Sequence, residues 1–345
     1  MTPMAKVFRI AFAVFIAILA VVPARAETAA EFYKDKTIRI VIGTGMGGSY
    51  GVYAQLVARH LGRFVPGAPT LIVQSMPGAG GLVALNYLAQ KAPRDGTLIS
   101  VIHVTLVQEG LFNPRAQYDA GEFQWIGRLA SITFLGVASK ASGIRTLDDA
   151  RKREVIAGAP GPNNVPAQSP LVLNKVAGTK FKVVTGYKGM GEAFIALERG
   201  EVEFAVPTEA TLAAFHQAKL KSGDLVPVFA MAGSRLKDYP DVPILQEFGK
   251  SEVEKAFLAV FTLTAEIGRS LATPPGVPLD RLAALRTAFD RMVLDAEFRA
   301  DLAKSRVLLD PKSGTEMQQL VRAAVTMSKE TREQARLFYD QLFKK

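Results

Sequence analysis

The stretch Thr37-Ile38-Arg39-Ile40-Val41-Ile42-Gly43-Thr44-Gly45-Met46-Gly47-Gly48-Ser49-Tyr50-Gly51 joins a run of β-branched residues to a glycine-rich loop and then to a helical pattern. A short apolar run closed by glycine reads as a buried strand, here 37–42, and the residues from Tyr50 to Leu61 read as a helix. Outward from it the same grammar repeats. A strand at 70–74 leads to a second glycine loop, Pro77-Gly78-Ala79-Gly80-Gly81, a helix at 82–90 and, after the turn Pro93-Arg94-Asp95-Gly96, a strand at 97–102. Strand and helix in alternation predict a parallel sheet with helices packed on it. A change of register falls near 125–140. Beyond it, strands at 155–157, 181–185, 202–206 and 226–230 alternate with helices at 167–177, 190–199 and 209–220, a second α/β unit. The rigid connector Pro274-Pro275-Gly276-Val277-Pro278 opens a helix with Leu282, Leu285, Phe289 and Met292 on one face, and one long helix is expected over 314–343.

A chain of 345 residues is longer than one hydrophobic core usually organises, which favours two domains. It has no Cys, so disulfides, thiolate nucleophiles and Cys-based metal sites are excluded. The three His, at 60, 103 and 216, are too scattered for a local metal motif, and His60 and His216 read as ordinary helix residues. Lys6 and Arg9 precede the apolar run 10–22, and Ala24-Arg25-Ala26 places small residues where a signal peptidase reads, so 1–26 is expected to be a secretory signal cleaved after Ala26. The run is shorter than the roughly 20 residues that span a bilayer. The formal charge of +10, lower once Lys6, Arg9 and Arg25 are removed, suits an anionic ligand. An exported chain without a dense basic cluster is not expected to bind nucleic acid.

The first loop matches two chemical motifs. Gly43, Gly45 and Gly48 form a G-x-G-x-x-G, which in a strand-to-helix turn cradles a dinucleotide pyrophosphate, but the second strand ends Val73-Gln74-Ser75, without the acid that holds a ribose. Gly47-Gly48-Ser49-Tyr50-Gly51 is a G-x-S-x-G that could expose Ser49 as a hydrolase nucleophile, with Asp148 and His216 following in the right chain order. No oxyanion loop precedes it. Beneath both motifs lies the same physics: a glycine-rich turn lets N–H groups converge on one concavity and the following helix adds its positive end, a site for carboxylate as readily as for phosphate. Two such loops on neighbouring strands form the crevice in which ligands of open α/β folds lie.

The run Ile38-Arg39-Ile40-Val41-Ile42 with Gly47-Gly48, then Met76-Pro77-Gly78-Ala79-Gly80-Gly81 and Ala92-Pro93-Arg94-Asp95-Gly96-Thr97-Leu98, resembles the tripartite tricarboxylate transporter substrate-binding proteins, the Bug-type family. Gly186-Tyr187-Lys188-Gly189, Gly200-Glu201-Val202-Glu203, Tyr239-Pro240-Asp241-Val242-Pro243 and Pro274-Pro275-Gly276-Val277-Pro278 continue the resemblance in order. It implies an α/β, two-lobed, type II-like periplasmic-binding-protein clamshell, each lobe a mostly parallel sheet flanked by helices. Such a receptor captures a small organic carboxylate without cofactor or catalysis and hands it to membrane permease subunits. The resemblance assigns ligand contacts to Thr44, Met46, Gly47, Gly48, Ser49 and Tyr50 in the first loop and to Pro77, Gly78, Ala79 and Gly80 in the second. From the other lobe it assigns Pro160, Gly161, Asn163 and Asn164, then Tyr187 and Lys188, then Pro207 and Thr208.

Two departures narrow the ligand. Members often carry Asp where this chain has Gly51 and Pro207, and without those carboxylates a cationic amino group lacks a partner, favouring a simple mono- or dicarboxylate over an amino acid. The expected organisation is lobe 1 from 27–130 with 232–345 and lobe 2 from 131–231, with hinges near 135–140 and 230–233. A monomer is expected. Signalling through a membrane sensor is the alternative output, and hydrolysis by Ser49 the alternative in kind.

Overall fold

β1 (Thr37–Ile42) buries four of its six residues, among them three in succession at its end, as a strand covered on both faces does. It runs through α1 (Ser49–His60) to β2 (Thr70–Ser75), and through α2 (Leu82–Gln90) to β3 (Leu98–Val101). Both strands pair parallel to it, with Ile40 opposite Val73 on one side and Ile99 on the other. α2 shows why the helices stay: Leu82, Ala84, Leu85, Leu88 and Ala89 are buried at helical spacing. The computed structural model describes residues 27–162 and 164–343, so the expected signal 1–26 and Asn163 lie outside it.

After β4 (Gln124–Ala130) the chain crosses to a second sheet, entered by β5 (Phe134–Ser139). There β6 (Val155–Ala159), α3 (Val165–Ala177), β7 (Phe181–Thr185), α4 (Met190–Glu198) and β8 (Phe204–Ala205) repeat the parallel unit. Two short helices, α5 (Glu209–Phe215) and α6 (Gln217–Lys221), lead to β9 (Leu225–Met231). The chain then returns through α7 (Glu252–Ile267) to β10 (Arg269–Thr273), α8 (Leu279–Leu294), β11 (Lys312–Ser313), α9 (Gly314–Val325) and α10 (Lys329–Phe343).

The sheets have the orders β11-β4-β10-β3-β1-β2 and β7-β6-β8-β5-β9. Each therefore holds a parallel group interrupted by one reversed strand that follows a crossing, β10 in the first and β5 in the second, and in the first β11 is also reversed, at the edge beside β4. This is the two-lobed α/β architecture expected, with the first sheet drawing its strands from 37–130 and 269–313 and the second from 134–231.

Three local readings change. The helix expected over 314–343 is broken at 326–328, because Thr326 has ψ of 87° and the Ser328 hydroxyl accepts the Thr331 N–H, starting a new helix. The helix expected over 209–220 breaks at His216 (φ −133°), whose ring stacks on Phe194 at 4.1 Å. The hinge expected at 135–140 is instead strand β5, paired on both sides, and the crossing is made by 131–133. α7, which the sequence reading did not name, begins with a capping box of Ser251 and Glu254 and buries Phe257, Leu258 and Phe261.

Candidate functional site

β10 runs against β3 and β4, so its first residue, Arg269, stands opposite Ala130, the last residue of β4, at the carboxyl edge of β1, β2 and β3. The chain leaves the first sheet from that edge. It enters the second at Phe134, which faces Met231 at the end of β9 and bridges to Thr208 just past β8. The carboxyl ends of both parallel groups thus lie on the crossing side, and from them project all the described loops that the resemblance singles out.

On the first sheet the loops touch. A Cβ on Gly43 would come within 3.0 Å of the Gly81 Cα, and one on Gly81 within 2.6 Å of the His103 ring. Gly78, Ala79, Gly80 and Gly81 all have positive φ, Ala79 at 45°, a left-handed conformation costing a non-glycine residue about 1–2 kcal/mol. The first loop folds back over α1: a Cβ at Gly51 would lie 1.9 Å from the Met46 carbonyl oxygen, so the absent Asp at this position is replaced by close approach of loop to helix. Ser75 Oγ donates to the Thr44 carbonyl at 2.7 Å and fixes the loop's start. Gly45, Met46, Gly47, Gly48 and Ser49 are exposed. The N–H groups of Gly45, Met46, Gly47 and Gly48 have no acceptor among the described residues.

Tyr50 is buried beneath this loop. Its hydroxyl accepts the Val104 N–H at 3.0 Å, and its ring stacks on His103 with centroids 5.4 Å apart. Burial, helped by the nearby Arg269 charge, pulls the His103 pKa down to about 4, so the ring is neutral at pH 7. The Tyr50 ring also carries the Arg269 guanidinium, 4.0 Å from its centroid. Arg269 donates to Ser49 Oγ through Nε (3.2 Å) and Nη2 (2.6 Å). Sequence reading missed Arg269 and gave His103 no role. A lone Arg after Gly268 carries no signal until β10 is known to insert beside β3. Ser49 has no base on its Oγ, only a guanidinium that stays protonated, so the G-x-S-x-G does not make a nucleophile here.

On the second sheet two of the named polar residues serve helices. Asn164 caps α3, its Oδ1 accepting the Ala167 N–H at 3.1 Å, and Thr208 caps α5, its Oγ1 accepting from Thr211 at 3.2 Å. Pro160 accepts the Gly186 N–H through its carbonyl, and Gly161 follows it, half-buried. Pro207 is buried, its carbonyl bonded to the Leu135 N–H. Tyr187 is half-buried against Gly158 and shares a surface recess with Glu192, Ile195, Ala196, Arg199 and Glu201 on the α4 side. The Lys188 side chain is 91% exposed, with Glu192 at 3.9 Å. Pro77 is exposed beside these loops' counterparts on the first sheet. Away from both edges, His60, Asp295 and Glu297 converge within 4.8 Å, but the Arg63 guanidinium bonds all three and supplies the positive charge there.

Comparison with known proteins agrees with this architecture. The family model described as "Tripartite tricarboxylate transporter family receptor" matches residues 56–335. The "UPF0065 protein in gbd 5'region" of Cupriavidus necator is 27% identical over 319 residues, 90% of each chain. A TctC solute binding protein from Polaromonas superposes with a TM-score of 0.69 at 18% identity, covering 90% of this chain and 100% of that one. MatC from Rhodopseudomonas palustris, solved with bound malate, superposes at 0.55 with 21% identity, covering 87% and 99%. The matched family is one of receptors. The chain belongs to the tripartite tricarboxylate transporter family of receptors.

Proposed function

We propose that this protein is a periplasmic receptor that captures a small organic carboxylate between its two lobes and delivers it to the membrane subunits of a tripartite transporter. The observation that carries the reading is the exposed loop 43–49: four successive N–H groups without acceptors, held against Gly81 and Gly51 at the carboxyl edge of the first sheet, on a chain of a receptor family. Such a loop solvates an anion with backbone dipoles alone. The second lobe closes on it with the loops at Pro160, Tyr187 and Thr208, and the contacts made only in the closed state drive closure. The malate held by MatC is a ligand of this chemistry. No helix among the described residues is long and apolar enough to cross a membrane, and the family works in the periplasm.

A thermal-shift screen of residues 27–345 against organic acids, their amides, amino acids and sugars tests the reading. A ligand at about a hundred times its Kd adds roughly 2.7 kcal/mol of stability. Acids that raise the melting temperature where their amides do not support a carboxylate receptor. Shifts by sugars alone, or by amino acids alone, contradict it.

A further inference from the structure

Arg269 is a guanidinium without a carboxylate. Among the described residues no acidic side chain lies within ion-pair distance of it, although it is half-buried at the first residue of β10. Its position is fixed by Tyr50, over whose ring it stacks, by the Gly268 carbonyl at 3.1 Å, and by Ser49 Oγ, which accepts from two of its nitrogens. Those bonds occupy three of the five N–H donors that an arginine carries, leaving two. Ser49 Oγ, with its lone pairs turned to Arg269, keeps its own O–H as a donor, and no described residue accepts it. Next to them stand the unpaired N–H groups of the loop 45–48. The neutral His103 below Tyr50 adds no negative charge. One spot thus collects spare donors and a full positive charge, with no acidic side chain among the described residues to receive them. A desolvated charge left without a partner is costly, and a bound anion removes the cost.

We infer that Arg269 is the specificity-determining residue of this receptor: with the Ser49 hydroxyl it pairs directly with the ligand's carboxylate, so that the protein selects an ionised acid over the matching neutral amide. This rests on the carboxylate-receptor reading and sharpens it. Backbone N–H groups already favour a carboxylate over a neutral amide oxygen, and an ion pair to a planar fork adds to that preference through carboxylate geometry and full charge. Tyr50 and Ser49 act here as positioning residues, holding the fork in one orientation.

The test is calorimetric titration of wild type, Arg269→Gln and Arg269→Lys with adipate, malate and benzoate, with their primary amides, and with inorganic phosphate. The wild type is expected to bind at least one acid and to prefer it to its amide. Arg269→Gln is expected to lose about 10- to 100-fold in affinity for the acid, the range for a hydrogen bond to a charged group, while the amide binds as before. Arg269→Lys is expected to fall between, its charge kept and its fork lost. An unchanged acid-to-amide ratio in Arg269→Gln overturns the inference and leaves the receptor reading standing. Equal losses for acid and amide overturn it too, since they indicate a structural role only. If Arg269→Gln does not fold, a wild-type ratio in Arg269→Lys overturns it. Phosphate bound more tightly than every acid would replace carboxylate by phosphate as the recognised group. A wild type that binds none of the acids brings down the receptor reading and this inference together.

Discussion

Gly51→Ala separates loop geometry from fold stability. The added methyl group would sit 1.9 Å from the Met46 carbonyl oxygen and 2.6 Å from its carbon. To regain ordinary contact the loop must retreat by about 1.5 Å, and it can, because Gly45, Met46, Gly47, Gly48 and Ser49 are exposed. Overpacking a rigid core costs about 1–3 kcal/mol, but a yielding loop lowers that figure. Replacing glycine inside a helix returns up to about 1 kcal/mol. The net change in unfolding free energy is therefore small, under about 2 kcal/mol. Affinity has no such compensation. A retreat of this size takes at least one loop N–H out of reach of the carboxylate, worth about 10- to 100-fold. Gly191→Ala is the control, since it lies in the first turn of α4 with nothing within 4 Å of its new methyl group. It should gain stability and keep affinity. Urea unfolding gives the first quantity, and calorimetry with the acid giving the largest thermal shift gives the second. A Gly51→Ala protein that binds that acid as tightly as the wild type would refute the role given to the loop.

Three further outcomes follow from the structure. Arg128 is 3% exposed and holds Glu266 at 2.8 Å and Asp310 at 2.7 Å beside the crossing; because Glu266 keeps Lys312 at 3.1 Å and the Asp310 side chain is 55% exposed, Arg128→Ala should lower urea-unfolding stability by about 1–3 kcal/mol, less than breaking a fully buried pair costs. A loss below about 1 kcal/mol would show that water relieves both carboxylates. For His103, the folded pKa of about 4 lies below its ordinary 6.5, so its contribution is present above about pH 6.5 and disappears as pH falls towards 4, by up to about 3 kcal/mol. Unfolding measured across that window should be steeper in the wild type than in His103→Gln, and equal slopes would contradict the burial. Asn164→Ala should cost about 1 kcal/mol through the lost cap of α3, and an accompanying drop in acid affinity would add a ligand contact to that structural role.

The parallel units could be read from local pattern, since a parallel strand covered on both faces is an apolar run and its crossover helix shows its buried stripe. Hence β1, α2 and β7 fall at the expected residues, and β2 within one. The reversed strands β5 and β10 could not be read so. Each follows a crossing and is stabilised by partners far away in sequence, as Leu271 is by Val101. Missing β10 meant missing Arg269, because only the insertion of that strand beside β3 brings it to Ser49. α7 did carry a local signal, the Ser251 to Glu254 capping box ahead of Phe257 and Phe261. In the candidate site the glycine loops were legible from composition, but not their contacts. That Gly51 admits the Met46 carbonyl, or that Asn164 and Thr208 spend side-chain oxygens on helix caps, depends on where the backbone turns.

In the proposed receptor one carboxylate lies between the carboxyl edges of the two sheets. The measurement that addresses this placement most directly is a crystal structure of residues 27–345 grown with the acid that gives the largest thermal shift. A carboxylate is expected within hydrogen-bond distance of the N–H groups of 45–48 and of Arg269, with at least one contact from the Pro160, Tyr187 or Thr208 loop. An acid bound instead in the recess between Arg199 and Glu201, or touching the second sheet alone, would contradict it.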